Sequence, residues 1–241
     1  MRSMFDTLQA MPYPGRTIIV GAGPTGQRGV LYAITGRSPS SQARRLVIDE
    51  QEQKIFVRPT DEETLKTGNP DLLVYAAVMC GKGRIAVSNG KQTGDVFQAL
   101  QGEARVSLVL HAGLSDWKYE PDEPNWTPRI SGCIAENAAL SVLKRAGNGD
   151  AIRNTFEFPL IAGQGRMVST YTGLNANPLP SFAGEPVEVA LPFGSTREAA
   201  ECLYDALAPA AGADDFRVAA AAAFIGPNGI VNLYVKNRHA E

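Results

Sequence analysis

Histidine is nearly absent from this 241-residue sequence, with His111 and His239 the two present. That argues against a His-rich metal site, and no metal is expected. Cysteine is scarce too. Cys80, Cys133 and Cys202 are scattered, with no CxxC pair and no even-numbered framework, which argues against a zinc ribbon or a disulfide scaffold and fits a reducing cytoplasm. No stretch approaches the roughly 20 apolar residues of a membrane helix. The N-terminal MRSMFDTLQAMPYPGR has no uninterrupted apolar run resembling a signal peptide. A basic excess is also missing: 23 Lys and Arg face 25 Asp and Glu, a formal charge of −2. Neither nucleic acid nor an anionic membrane surface is therefore an expected partner. Binding of a phosphorylated small molecule would rest on local clusters of arginine and backbone amides. With no internal repeat and no low-complexity linker, residues 1–241 read as a single cytoplasmic domain.

What is present reads mostly as strand. Apolar and β-branched runs fall at Thr17–Val20, Leu46–Ile48, Lys54–Val57, Leu72–Val78, Arg84–Val87, Arg129–Ala135 and Leu140–Leu143. Others come at Thr155–Ile161, Met167–Tyr171, Val187–Leu191, Phe216–Ile225 and Ile230–Val235. The last two flank Gly226-Pro227-Asn228-Gly229, which predicts a hairpin. Two helices are expected. One starts at the capping-box sequence Ser195-Thr196-Arg197-Glu198 and carries Ala199, Leu203, Ala206 and Leu207 on one face. The other starts near Thr93 with Val96, Phe97 and Leu100. Gly173–Pro186 reads as an ordered surface loop. The class is α+β, with extensive antiparallel sheet covered by a few helices.

One short motif points elsewhere. A strand at Arg16–Val20 runs into Gly21-Ala22-Gly23-Pro24-Thr25-Gly26, and Asp49 ends another apolar run downstream. That G-x-G-x-x-G pattern suggests an FAD- or NAD-dependent oxidoreductase, with helix amides on a pyrophosphate and Asp49 on a ribose. The reading requires a helix after Gly26. Gln27–Arg45 instead contains Gly29, Gly36, Pro39 and a concentration of serines and threonines, so Val30–Ile34 serves as well as the return strand of a hairpin.

Four segments in order resemble the archaeal-type IMP cyclohydrolases and their bacterial relatives. They are Tyr13-Pro14-Gly15-Arg16, Tyr32–Arg45 (YAITGRSPSSQARR), Val87–Asp95 (VSNGKQTGD) and Tyr119–Gly132 (YEPDEPNWTPRISG), with Pro178–Pro186 similar to the bacterial members. The resemblance implies an Ntn-hydrolase-like fold, a four-layer α-β-β-α sandwich with mainly antiparallel sheets. It also implies dehydrative closure of 5-formamidoimidazole-4-carboxamide ribonucleotide to IMP in purine biosynthesis, no metal or organic cofactor, and a homo-oligomer. A non-catalytic nucleotide-binding relative is an alternative, because family does not secure activity. So is an Ntn-type amidohydrolase, although Arg2 after Met1 leaves no N-terminal Ser, Thr or Cys on methionine removal.

The chemistry suits the residues that carry the resemblance. Amide and formyl group are already joined in the substrate, so the protein needs a proton acceptor and a stabiliser of charge on the formyl oxygen. The cluster Glu120, Asp122 and Glu123 offers the base. The resemblance favours Glu120, with Asp122 second, and the competing reading is a solvated acidic turn shaped by Pro121 and Pro124. Arg37 is expected at the reacting end, and Tyr75 as a phenol for the formyl oxygen or else a buried structural tyrosine. Ser38, Ser41, Gln42 and Arg44 form a hydroxyl- and guanidinium-rich phosphate or ribose site, or simply a polar loop. Asn89 and Gly90 precede a helix and offer substrate contacts, or only a turn. Asn125 and Thr127 belong to the same binding set. Arg129 binds phosphate or pairs with a carboxylate of its own segment.

Overall fold

The computed structural model describes residues 5–61, 74–102 and 105–239. Thirteen strands among them form two sheets. They are β1 (Arg16–Ala22), β2 (Arg28–Thr35), β3 (Arg44–Asp49), β4 (Lys54–Pro59), β5 (Tyr75–Gly81), β6 (Arg84–Ser88), β7 (Arg129–Ile134), β8 (Ala138–Arg145), β9 (Ala151–Phe158), β10 (Gln164–Ser169), β11 (Val187–Ala190), β12 (Arg217–Ile225) and β13 (Val231–Asn237). One sheet has the order β11-β10-β1-β2-β12-β13, and the other runs β3 to β9 in chain order. Every pairing between these strands is antiparallel.

Among the described residues five helices accompany them: α1 (Asp6–Gln9), α2 (Pro39–Gln42), α3 (Thr93–Gly102), α4 (Val106–Gly113) and α5 (Thr196–Ala206). No helix of the described residues is long and apolar enough to cross a membrane.

The α+β class expected from the apolar runs is the class observed. Period-2 alternation divides each central strand between two apolar clusters. From β1, Ile18 and Val20 enter the cluster between the sheets with Val30, Tyr32, Val87 and Leu140, while Ile19 faces the other way with Leu31 and Leu203. That second cluster lies under α1 and α5, and a third packs α3 and α4 onto Ala86, Cys133 and Ala139. Central strands covered on both faces bury every residue, as β1 and β7 do, which is why they read as continuous apolar runs. Small side chains let helix and sheet approach: Ala220 and Ala222 of β12 meet Ala199 and Ala200 of α5.

The glycine-rich motif is a hairpin. Strands β1 and β2 pair from Arg16↔Ile34 to Ala22↔Arg28, and the amide of Gly23 donates to the Gln27 carbonyl at 2.9 Å. Gly26 takes φ +81°, a turn conformation that favours glycine. Strand β2 follows it directly, so the strand-to-helix crossing that a dinucleotide would need is absent from this segment, and the oxidoreductase reading of the motif is overturned.

The expected hairpin at Gly226–Gly229 forms, with Gly226 N donating to Ile230 O at 3.0 Å. The cap of α5 forms through Ser195 Oγ, which accepts from Glu198 N at 3.2 Å, while Glu198 itself stands exposed. Some boundaries moved. The run expected at Thr155–Ile161 is strand from Ala151 to Phe158, ending where Pro159 removes an N–H donor. The run at Met167–Tyr171 stops at Ser169, after which Tyr171 makes an isolated bridge to Ser181. Of the run Leu72–Val78, residues 72 and 73 lie outside the described residues.

Candidate active site

Arg16 opens β1, Arg44 opens β3 and Arg129 opens β7 at one end of the sandwich, with Tyr75 opening β5. The pleat turns Arg16 to the same side as Ile18 and Val20, so its guanidinium enters the space between the sheets where the apolar filling ends. Two loops close this end. One is the segment 118–128 before β7, and the other comes after β10 and carries Tyr171, Leu179 and Phe182. Between them lies a cavity of ≈ 270 Å³.

Eight of the residues expected from the sequence line it: Arg37, Ser38, Ser41, Arg44, Glu120, Asp122, Asn125 and Thr127. Tyr13, Arg16, Ser40, Tyr171 and Leu179, not assigned from the sequence, complete the wall. Tyr13 and Arg16 stand in the first segment of the resemblance, which was the available signal for them. Tyr75, Gln42, Asn89, Gly90 and Arg129 stand behind the lining.

Glu120 is 2 % exposed. Its amide donates to the Thr127 carbonyl at 2.9 Å, which fixes the backbone at this point. Its Oε1 accepts from Asn89 Nδ2 at 3.4 Å and lies 3.9 Å from Arg129 Nη1. Burial raises the Glu120 carboxyl above its ordinary value; Arg16, Arg129 and Arg44 oppose the rise and Asp122 adds to it, and the net direction is upward. A carboxyl so poised exchanges protons nearer neutrality than an exposed one.

Asp122 has a different occupation. Its Oδ1 accepts from Thr127 N at 2.6 Å, its Oδ2 accepts from the Thr127 hydroxyl, and its carbonyl accepts from Asn125 N and Trp126 N. Both carboxylate oxygens therefore staple the loop. Since the Thr127 hydroxyl gives its hydrogen to Asp122, Tyr171 must donate to Thr127 Oγ1 across their 2.6 Å contact. The Tyr171 hydroxyl then turns an acceptor lone pair towards the cavity. Burial pushes its pKa up to about 12, so it stays a phenol. Asn125 Oδ1 accepts from Leu179 N at 3.0 Å and joins the two loops. Glu123, third in the acidic cluster, is exposed.

Behind the carboxylate, Asn89 accounts for its whole amide: Nδ2 also donates to Pro128 O at 2.9 Å, and Oδ1 accepts from Ile130 N and Gln92 Nε2. Gly90 is glycine because a Cβ would fall 2.6 Å from Gln92 Oε1 and 2.7 Å from Arg129 Nη1. Arg129 donates from Nε to Lys118 O and from Nη1 to Gln92 Oε1, and its guanidinium lies 4.7 Å over the Trp117 ring. Of the two roles considered for it, this geometry is that of the carboxylate partner. Tyr75 shares a 2.9 Å hydrogen bond with the fully buried Tyr32.

On the opposite wall, α2 is a single turn closed by its own hydroxyls. Ser38 Oγ accepts from Ser41 N, and Ser41 Oγ accepts from Ser38 N. Gln42 Nε2 donates to the Gly36 carbonyl at 3.1 Å. Arg37 Nη1 donates to Asn175 Oδ1 and Ala176 O at 2.9 and 2.8 Å, and its guanidinium stacks 5.1 Å from the Tyr13 ring centre. It therefore clasps the Gly173–Pro186 loop at the cavity mouth. Arg44 Nε donates to Ser41 O at 2.8 Å. Burial lowers the Arg44 pKa, and the Arg16 charge beside it lowers it further. Burial also works against the Arg16 charge, yet Glu120, Tyr75, Tyr32 and Tyr171 around it raise its pKa well above the ordinary arginine value.

The arrangement offers a proton-exchanging carboxyl, a dense set of fixed cations and an aromatic wall of Tyr13 stacked on Tyr171 at 5.9 Å. A family model described as IMP cyclohydrolase-like protein matches residues 13–228. No curated protein matches the chain.

Proposed function

The chain belongs to the IMP cyclohydrolase-like family, and from that premise we propose that it closes 5-formamidoimidazole-4-carboxamide ribonucleotide to IMP with loss of water. The observation that carries this reading is Glu120: a buried carboxyl with a raised pKa, on the wall of a cavity whose other walls are cationic and aromatic. At ≈ 270 Å³ the cavity lies near the low end of the range of about 300–1,000 Å³ for small-molecule sites, enough for the reacting end of a nucleotide with the remainder in the open mouth.

In the proposed reaction the carboxamide nitrogen attacks the formyl carbon and loses a proton to Glu120. Glu120 passes that proton to the formyl oxygen, which becomes the hydroxyl of a carbinolamine. The Glu120 carboxylate then takes the hydrogen of the former formamide nitrogen and returns it to that hydroxyl, which departs as water as the ring double bond forms. Proximity is intrinsic to the substrate, so proton transfer and electrostatic stabilisation are what the protein adds. Tyr171, presenting an acceptor, suits an N–H of the substrate. Arg37 with Ser38, Ser40 and Ser41 at the mouth suits the phosphate. Three apolar clusters in the order helices, sheet, sheet, helices support reading the fold as an Ntn-hydrolase-like four-layer sandwich.

The test is IMP formation by purified, dialysed protein with the formamido nucleotide, monitored by chromatography. The wild type should form IMP and Glu120→Gln should not. A Glu120→Gln variant with full activity removes this carboxyl from the reaction.

A further inference from the structure

Charge on the cavity floor is out of balance. Arg16, Arg44 and Arg129 are 8, 2 and 9 % exposed, and one buried carboxylate, Glu120, faces all three. Arg129 is spent on Lys118, Gln92 and Glu120. Arg16 and Arg44 are not. Neither makes an ion pair among the described residues, and each keeps a buried N–H without a hydrogen-bond acceptor, Nε in Arg16 and Nη2 in Arg44. The two guanidiniums also stand close enough to repel each other. Buried donors are nearly always satisfied, and a buried cation without a counter-charge is costly. Two like charges with idle donors on one cavity wall suit an acceptor that carries negative charge.

We propose that Arg16 and Arg44 form an inner oxyanion site that receives the formyl oxygen of the substrate. The identity of that oxygen rests on the proposed cyclohydrolase reaction, while the oxyanion chemistry stands on the geometry. A phosphate dianion at this depth would meet the Glu120 carboxylate, and phosphate is better served by the hydroxyls of Ser38 and Ser40 beside Arg37 at the mouth. A formyl oxygen meets no such repulsion. It is neutral on arrival and becomes negative as Glu120 takes the amide proton, so charge moves across the cavity while the arginines hold the total constant. Fixed donors aimed at charge that develops only in the transition state act mainly on kcat. Arg16 is then a catalytic residue, because its guanidinium touches the reacting oxygen.

Formate, a planar oxyanion of formyl size, is the probe for the site itself. Formate should raise the thermal unfolding temperature of the wild type saturably, against chloride at equal ionic strength. That rise should vanish in Arg16→Gln and Arg44→Gln. Inorganic phosphate should protect the wild type and both variants alike through the mouth. Kinetically, Arg16→Lys should lower kcat by about 100-fold or more, with KM within about threefold of wild type. Formate protection that is equal in variants and wild type, or absent throughout, overturns the site. Loss of phosphate protection in Arg16→Gln, or a raised KM at unchanged kcat in Arg16→Lys, overturns the formyl assignment and makes the pair a phosphate seat. A wild type that forms no IMP sinks the functional reading, and the formate arm still decides the oxyanion site.

Discussion

Glu120 sits where three arginines attract its charged form and burial opposes it, and burial wins. That balance sets two pH dependences at the scale of this residue. The acid limb of kcat/KM should rise with the ionisation of Glu120, at a pH above the usual carboxylate range. Stability moves the other way. A carboxyl with a raised folded-state pKa favours folding fully below its unfolded value, and that contribution is lost as pH rises through the folded value. Above the unfolded value the raised pKa therefore costs stability, and at pH 7 Glu120→Gln should unfold at a temperature equal to or above wild type, by calorimetry. A lower temperature at pH 7 would show that attraction by the surrounding arginines outweighs burial. Glu120 was legible in the sequence through its place in YEPDEPNWTPRISG. The division of labour with Asp122 was not, because it depends on which carboxylate the loop turns inward and which it uses to fold itself. Arg16 was hidden for a related reason: an arginine at the start of an apolar strand reads as the strand's polar end, and only the second sheet turns it into a cavity wall.

The loop 119–128 is an element held by side chains rather than by ladder hydrogen bonds. Thr127 is its hub, bonded through backbone and hydroxyl to Asp122 and through the hydroxyl to Tyr171. Thr127→Val leaves Tyr171 and one Asp122 oxygen without their partner in a closed site. It should cost about 1–3 kcal/mol in urea unfolding, and activity should fall as the loop loses its staple. Ser195→Ala is the contrasting case. It removes the α5 cap far from the cavity and should cost about 1 kcal/mol with kcat and KM unchanged. Elements with strong local signals were legible: the runs that became strands, the capping sequence at Ser195 and the turn at Gly226–Gly229. Helix α4 was not anticipated. Its buried residues Val106, Val109, Leu110 and Gly113 have helical spacing, but Leu108 at 49 % exposure blurs the stripe and Arg105 supplies no side-chain cap. Helix α2 was read as polar loop because its one turn is closed by serines, with no apolar face to announce it.

At the scale of the molecule, the two sheets must meet closely enough to build one site from both. Gly132 of β7 allows that contact: a Cβ there would lie 2.8 Å from Val20 Cγ2 of the other sheet and 3.0 Å from Leu140 Cδ2. Gly132→Ala should lower the urea midpoint by an amount equivalent to about 1–3 kcal/mol, the range for overpacking a core. Asn237 at the end of β13 links the sheets again, its side-chain amide bonding both N–H and C=O of Leu46 at 2.8 and 3.0 Å. Strand order and sheet stacking were not legible in the sequence, since apolar runs buried on two faces do not say what covers each face. The glycine motif was legible for the same physical reason that it misled. Glycines permit tight turns, and the residues after Gly26 decide whether the turn leads to a helix or to a return strand.

Residue, loop and sheet contact meet in the proposed reaction, and its direct measure is product. The protein, purified and dialysed against chelator, should convert 5-formamidoimidazole-4-carboxamide ribonucleotide to IMP at a rate above the spontaneous closure, with Glu120→Gln folded and reduced to background. Folded wild-type protein that leaves the closure at its spontaneous rate would contradict the account.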